Sequence, residues 1–322
     1  MDQIIQHLNN CNHVLLASHA NPDGDAIGSL IAMGLALDSL NKKLTLYNES
    51  SIPAVYRFLP SVNRVVRELR PTDVFDTAVI LDCGDLDRIG KAAVAVSKTP
   101  VTINVDHHIT NTGFGDFQIV DTLASATSEI VHRLIKALEV PINSDIANSI
   151  YTGILTDTGS FRFSNTNRAA FAICEEMLAL GVNPYRIAQH VYGTYSLGRI
   201  KLLNLALDSI EISQNGKLSL MTVTSEMLNE TGTQPEDADG LINYARRIEA
   251  VQVAVLIQEQ MNGQEKSKKN RFHVSLRSDG SIDVAAIASS FGGGGHASAS
   301  GFSIQAPLSD IKARIHNLAE QL

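Results

Sequence analysis

The sequence predicts an α/β protein, with an N-terminal, mainly parallel sheet flanked by helices and a smaller C-terminal α/β domain. Three observations lead there. In the first half, short β-branched runs alternate with helical patterns, as parallel strands joined by helices do. From Ser125 to about Asp208 the pattern turns helical. Near Ser209 short strands return around Gln214-Asn215-Gly216, where Asn-Gly is a strong hairpin signal.

In chain order, His13–Ser18 (H-V-L-L-A-S) reads as a buried strand, and residues 26–40 as the amphipathic helix that follows it. Residues 44–47, 78–81 and 101–105 are further strands. Helices are expected near 125–138, 145–155, 168–180 and 196–207. In the second domain, strands are expected at 210–212, Leu218–Val223, 251–257 and 272–276, with a polar stretch over 262–270. Helices follow at Val284–Ser290 and 308–318. The implied division is a catalytic domain over 1–195, a helical linker over 196–208 and a substrate-binding domain over 209–322.

At 322 residues the chain has room for two domains, and 44% hydrophobic residues with mixed charge is ordinary for a globular protein. No apolar run approaches the ~20 residues of a membrane span. Met1-Asp2-Gln3 lacks the pattern of a signal peptide. Cys11, Cys83 and Cys174 are widely spaced without a C-x-x-C pair, and read as small, reduced core residues in a cytoplasmic protein. A net charge of −8 and a pI near 5.7 argue against a footprint on long duplex nucleic acid. Small anionic substrates stay open if the site carries its own positive charge, which metals supply.

Acids and histidines fall where strands end. The first strand runs into His19-Ala20-Asn21-Pro22-Asp23-Gly24-Asp25, the third ends on Asp82, and the fourth on Asp106-His107-His108. Asp157 closes an apolar helix. Ligand sites of open α/β sheets lie at the carboxyl ends of strands, so these clusters should converge. Two unit charges ~4 Å apart interact by ~4 kcal/mol at an effective dielectric of 20, so five acids in one crevice need relief. Divalent cations with mixed oxygen and imidazole ligands give it, and a carboxylate majority suits Mn²⁺, with Mg²⁺ as the substitute. Taken singly, Asp25 reads equally well as a helix cap and either histidine as a core residue; the joint occurrence favours a metal centre.

These residues resemble the DHH (Asp-His-His) phosphoesterase superfamily. Asp106-His107-His108, the H-x-x-x-D-x-D run from His19, V-I-L-D-C-G-D around Asp82 and I-L-T-D-T-G around Asp157 are similar to its motifs. Gly292-Gly293-Gly294-Gly295-His296 resembles the signature of the DHH-associated domain. The layout is most similar to the branch of bifunctional oligoribonucleases and phosphatases of pAp (adenosine 3′,5′-bisphosphate). The resemblance implies that His19 and Asp23 hold one metal, that Asp25, His107 and Asp157 hold a second, and that Asp82 bridges both. It implies His108 facing the substrate phosphate, Asp106 orienting a ligand imidazole, and metal-activated hydroxide attack on phosphorus. Gly292 to Gly295 would bring backbone N–H groups close to an anion, with His296 and Arg277 gripping the remote part of short RNA or a small nucleotide.

Arg88, after the Asp82 strand, is a weaker candidate for a substrate contact, balanced by a surface ion pair. Lys266, Lys268, Lys269 and Arg271 are basic enough to touch an RNA tail but read better as a solvated hairpin loop. A cyclic or linear dinucleotide phosphodiesterase is the runner-up. A family II inorganic pyrophosphatase is disfavoured by the glycine run, a RecJ-type exonuclease by the chain's length, and a non-catalytic nucleotide-binding regulator by the complete ligand set.

Overall fold

The computed structural model describes residues 1–193, 195–260 and 271–320, and the chain divides into two compact units, Met1–Thr194 and Tyr195–Leu322. The first contains α1 (Asp2–Asn10), β1 (His13–Ser18), α2 (Gly24–Ser39), β2 (Lys43–Tyr47), β3 (Val65–Val66), β4 (Thr77–Leu81) and α3 (Ala93–Val96). It continues with β5 (Val101–Asp106), β6 (Phe117–Val120), α4 (Thr127–Ala137), α5 (Ser144–Asp157), α6 (Arg168–Ala179) and α7 (Pro184–Tyr192). Its six strands lie in the order β3-β2-β1-β4-β5-β6, each pair parallel.

Alternation along β1 and β4 explains why these strands are apolar throughout. Val14, Leu16, Val79 and Leu81 face one core, shared with α2, α4 and α5, while Leu15, Ala17, Ala78 and Ile80 face a second with Ile89 and Val96. The strands foreseen are all present. α1, α3, α7, β3 and β6 were not foreseen: α1 and α7 are nine-residue helices, α3 has four residues, and β3 and β6 are short edge strands of two and four residues. Signals that short do not separate from turns.

Close approach of α2 and α5 sets up the site. A Cβ at Gly28 would lie 2.5 Å from the Ser149 carbonyl oxygen, and one at Gly153 1.9 Å from Ser128 Oγ and 2.8 Å from Asp25 Oδ1. Only glycine fits at both positions, so the start of α2 and the end of α5 meet beside the first turn of α4.

The second unit holds α8 (Leu197–Asp208), β7 (Glu211–Ile212), β8 (Leu218–Val223), α9 (Ser225–Thr231), α10 (Ile242–Arg246), β9 (Val253–Gln260) and β10 (Arg271–Ser278). It ends with α11 (Val284–Ser290), β11 (Gly294–His296), β12 (Ala299–Gln305) and α12 (Leu308–Ala319). Its strands run β11-β12-β10-β9-β8-β7, antiparallel except for the parallel pair β8–β9. Asn215-Gly216 turns between β7 and β8, with Gly216 at φ 73. Apolar residues of α11 and α12 cover one face. Leu202 and Ala206 of α8, with residues of α9 and α10, cover part of the other, so α8 is packed into this unit. No helix among the described residues is long and apolar enough to cross a membrane. Lys266, Lys268 and Lys269 lie outside the described residues, and Arg271 is the exposed first residue of β10.

Candidate metal centre

Parallel strands deliver their carboxyl ends to one edge, and the predicted clusters meet there. Asp82 follows β4, Asp106 ends β5, and His107 and His108 follow it. His19 follows β1, while Asp23 caps α2 and Asp25 stands in its first turn. The cap is thus Asp23, whose side chain accepts from the Asp25 and Ala26 N–H groups at 3.0 Å each, and Asp25 is left to face the crevice.

Two sets of donor atoms form around Asp82. His19 Nε2 lies 3.5 Å from Asp82 Oδ2 and 4.0 Å from Asp23 Oδ1. His107 Nε2 lies 3.7 Å from Asp82 Oδ1, 3.7 Å from Asp157 Oδ2 and 4.0 Å from Asp25 Oδ2. Only the His19–Asp82 pair, at 3.5 Å, is within reach of a weak hydrogen bond; the other separations are too long for one, and the set suits donors arranged around a shared ion. Asp82 turns one oxygen to each set. Its backbone sits at φ 54, in the left-handed region that non-glycine residues avoid and that clusters at functional sites.

The second nitrogen of each imidazole separates their roles. Nδ1 of His19 reaches the Ala20 carbonyl at 2.9 Å and Nδ1 of His107 the Ala124 carbonyl at 3.2 Å. A carbonyl only accepts, so both Nδ1 atoms carry the proton and both Nε2 atoms face the carboxylates, as ligand histidines are commonly held. His108 differs: its Nδ1 meets Asp106 Oδ1 at 2.7 Å. Asp106 therefore orients His108, where the resemblance had implied that it fixes a ligand imidazole. Its other oxygen accepts from Asn111 Nδ2 at 2.6 Å, and that amide also donates to Asn104 Oδ1 at 2.8 Å.

Burial and charge in this crevice demand a cation. Asp25, Asp82 and His107 are at most 4% exposed. Burial, then the neighbouring Asp82 charge, pushes Asp25 up to about 7. Burial also raises Asp157 well above the usual carboxylate range. For His107 burial works against the proton, yet the charges of Asp157, Asp82 and Asp25 prevail and lift it to about 10. Burial likewise opposes ionisation of Asp82, but the His19 hydrogen bond and the His108 charge hold its carboxyl low. The site keeps its acids together by taking up protons, which is where divalent cations fit.

One segment, residues 124–128, supports most of these groups and was not singled out from the sequence. Besides the Ala124 carbonyl, the Thr127 and Ser128 N–H groups donate to Asp25 at 2.6 and 2.9 Å, and Thr127 Oγ1 donates to Asp82 Oδ1 at 2.9 Å. Asn165 Nδ2 ties the Ser125 carbonyl (2.8 Å) to Asp157 Oδ2 (2.9 Å). The positive end of α4 thus points into the carboxylates. Small residues without a titratable group gave no signal to find it.

Arg88 is exposed, but its charge acts on His19, and its carbonyl accepts from the Ala20 N–H at 2.7 Å. Cys83 is fully buried, and burial pushes its thiol up to about 12, which leaves it no nucleophilic role. In the second unit, half-buried Arg277 lies on β10 and donates from Nη1 to the Leu276 carbonyl at 2.9 Å. The glycine run departs from the expected loop: Gly294 to His296 form edge strand β11, paired with β12. A Cβ at Gly293 would lie 2.2 Å from the Gly301 carbonyl oxygen, and one at Gly295 2.5 Å from that of Ala299. Close packing on β12 accounts for these two glycines.

Residues 13–154 match the DHH family, N-terminal domain, and residues 218–322 the DHHA1 domain. The chain is 32% identical over 292 residues to the bifunctional oligoribonuclease and PAP phosphatase NrnA of Thermus thermophilus, covering 91% of this chain and 84% of that one. It is 25% identical over 308 residues to the protein of the same name from Bacillus subtilis, covering 94% and 92%. Among solved structures, an exopolyphosphatase-related protein from Bacteroides fragilis aligns with a TM-score of 0.87 and 27% identity, over 99% of this chain and 95% of that one.

Proposed function

The chain belongs to the DHH family, and on that premise we propose that it is a two-metal phosphoesterase hydrolysing short oligoribonucleotides and 3′,5′-bisphosphate nucleotides such as pAp. The observation that carries this is the pair of imidazoles, each with Nδ1 committed to a backbone carbonyl and Nε2 turned to carboxylates that share Asp82. His19, Asp23 and Asp82 would hold one ion, and Asp25, His107, Asp157 and Asp82 the other. A carboxylate majority with two imidazoles favours Mn²⁺, with Mg²⁺ as the substitute. When bound, the ions supply Lewis acidity, activating a water for in-line attack and neutralising the phosphoryl oxygens.

The chain's own groups do the rest. Asp106 holds the Nδ1 proton of His108, so any contact from that ring to substrate runs through Nε2. When protonated, Nε2–H adds a donor to the charge gathering on the phosphoryl oxygens or to the leaving oxygen. Arg88 brings a positive charge beside His19 for a phosphate that is not cleaved. We assign catalysis to residues 1–195, and the grip on the remote part of the nucleotide to Arg277, His296 and the glycine run in 209–322. Such a grip favours mononucleotides and short oligomers over long duplexes. We place the protein in the cytoplasm, where its three free cysteines persist as thiols.

The test is a parallel comparison of rates with Mn²⁺ on pAp, pyrophosphate, c-di-AMP and RNAs of two to about twenty-four nucleotides, a range that spans the site sizes of single-strand binders. The proposal expects pAp and the shortest RNAs to turn over fastest, with activity lost to a chelator and restored by Mn²⁺. Preference for pyrophosphate, or for the cyclic dinucleotide over every linear one, would replace the assignment.

A further inference from the structure

We propose that Thr127 is a positioning residue: its hydroxyl holds Asp82 with one carboxylate oxygen toward each half of the metal centre, so that two ions bind at once. This rests on the metal-centre reading above. Asp82 follows the end of β4 at φ 54, its N–H still paired with the Val105 carbonyl at 2.9 Å, and the ladder leaves its side-chain torsions free. Oδ2 is turned to His19 and Oδ1 to His107, at 3.5 and 3.7 Å. Rotation about the last side-chain bond would lift both oxygens out of line together.

Thr127 opposes that rotation. Its Oγ1 lies 2.9 Å from Asp82 Oδ1, and because an ionised carboxylate only accepts, the hydroxyl donates. One lone pair of Oδ1 is thereby occupied, leaving another for an ion. The same residue donates its N–H to Asp25 Oδ2 at 2.6 Å, so its hydroxyl is fixed to the frame that also holds a second carboxylate. Thr127 is fully buried and Asp82 2% exposed, so water does not replace a lost donor cheaply.

Thr127→Val keeps the shape and the backbone N–H but replaces the hydroxyl with a methyl group; Thr127→Ser keeps the donor. The experiment titrates chelator-stripped protein with Mn²⁺, following free ion by electron paramagnetic resonance and heat by calorimetry, with no substrate present. Wild type binds two ions. Thr127→Val is expected to weaken the second ion by roughly 10–100-fold, the usual effect of removing an outer partner of a metal ligand, while Thr127→Ser stays close to wild type. Thermal melts of the stripped proteins check folding, and Thr127→Ala repeats the loss of the donor if the valine variant does not fold. Two ions at wild-type affinity in the valine or alanine variant would overturn the proposal, as would equal weakening in the serine variant. A wild type that binds two ions but hydrolyses neither pAp nor RNA would sink the proposed function and leave this inference standing.

Discussion

Stripping the metals should make the first unit lose stability as pH rises, the reverse of an ordinary surface carboxylate. Asp25 is the main cause. Its buried carboxyl is raised from 3.8 to about 7, so the folded chain keeps a proton that the unfolded chain releases. A raised carboxylate contributes stability that is fully present below about pH 4 and drains away up to about pH 7. The distance from 3.8 to about 7, at about 1.4 kcal/mol per pH unit, comes to about 4 kcal/mol. Asp157 acts in the same direction. His107, raised to about 10, gives stability that is whole below pH 6.5 and lost up to about pH 10, so the decline continues into alkali. Asp82, held low, works oppositely, and its contribution is lost only in acid. For a unit of this size, 4 kcal/mol corresponds to roughly 8–16 °C in Tm. Thermal melts of chelated protein from pH 4 to 9 should fall by that order, and saturating Mn²⁺ should remove most of the slope by taking the protons' place. A metal-free Tm that is flat or rises between pH 5 and 8 would refute the reasoning.

Asp82→Ala should abolish turnover and leave fewer than two bound ions per chain, as elemental analysis would read; near-normal activity would remove Asp82 from the centre. His107→Ala should weaken metal binding itself, whereas His108→Ala, whose Nδ1 faces Asp106, should lower kcat with two ions retained. Equal metal loss in both would reject that division. Arg277→Ala and His296→Ala should each cost pAp roughly 1.5–3 kcal/mol, one to two decades in kcat/KM, while sparing bis-p-nitrophenyl phosphate and metal content. Equal losses on both substrates would take the second unit out of specificity.

The convergence of these acids and histidines was readable from sequence because strand ends are. Apolar runs such as V-L-L-A-S and V-I-L stop abruptly at His19 and Asp82, and the parallel order of β1, β4 and β5 then sends the three clusters to one edge. Asp157 was readable as the acid that ends an apolar helix, though its approach to Asp25 depends on the glycine contacts of α2 and α5. The supports were not readable. Thr127, Asn111 and Asn165 act through hydrogen bonds of their own geometry, and nothing in A-S-A-T-S distinguishes a helix start that binds two carboxylates from one that binds water. That Asp106 holds His108 was not readable for the same reason, since two adjacent histidines differ only in where their rings turn. Four glycines carry no side-chain pattern, so the passage from turn to edge strand at Gly294 left no trace in the sequence.

The most direct measurement of the central claim is anomalous scattering from crystals soaked in Mn²⁺. Two peaks should appear in the first unit, one among His19, Asp23 and Asp82 and the other among Asp25, Asp82, His107 and Asp157, with Asp82 touching both and His108 neither. A single peak, or peaks away from Asp82, would contradict the account.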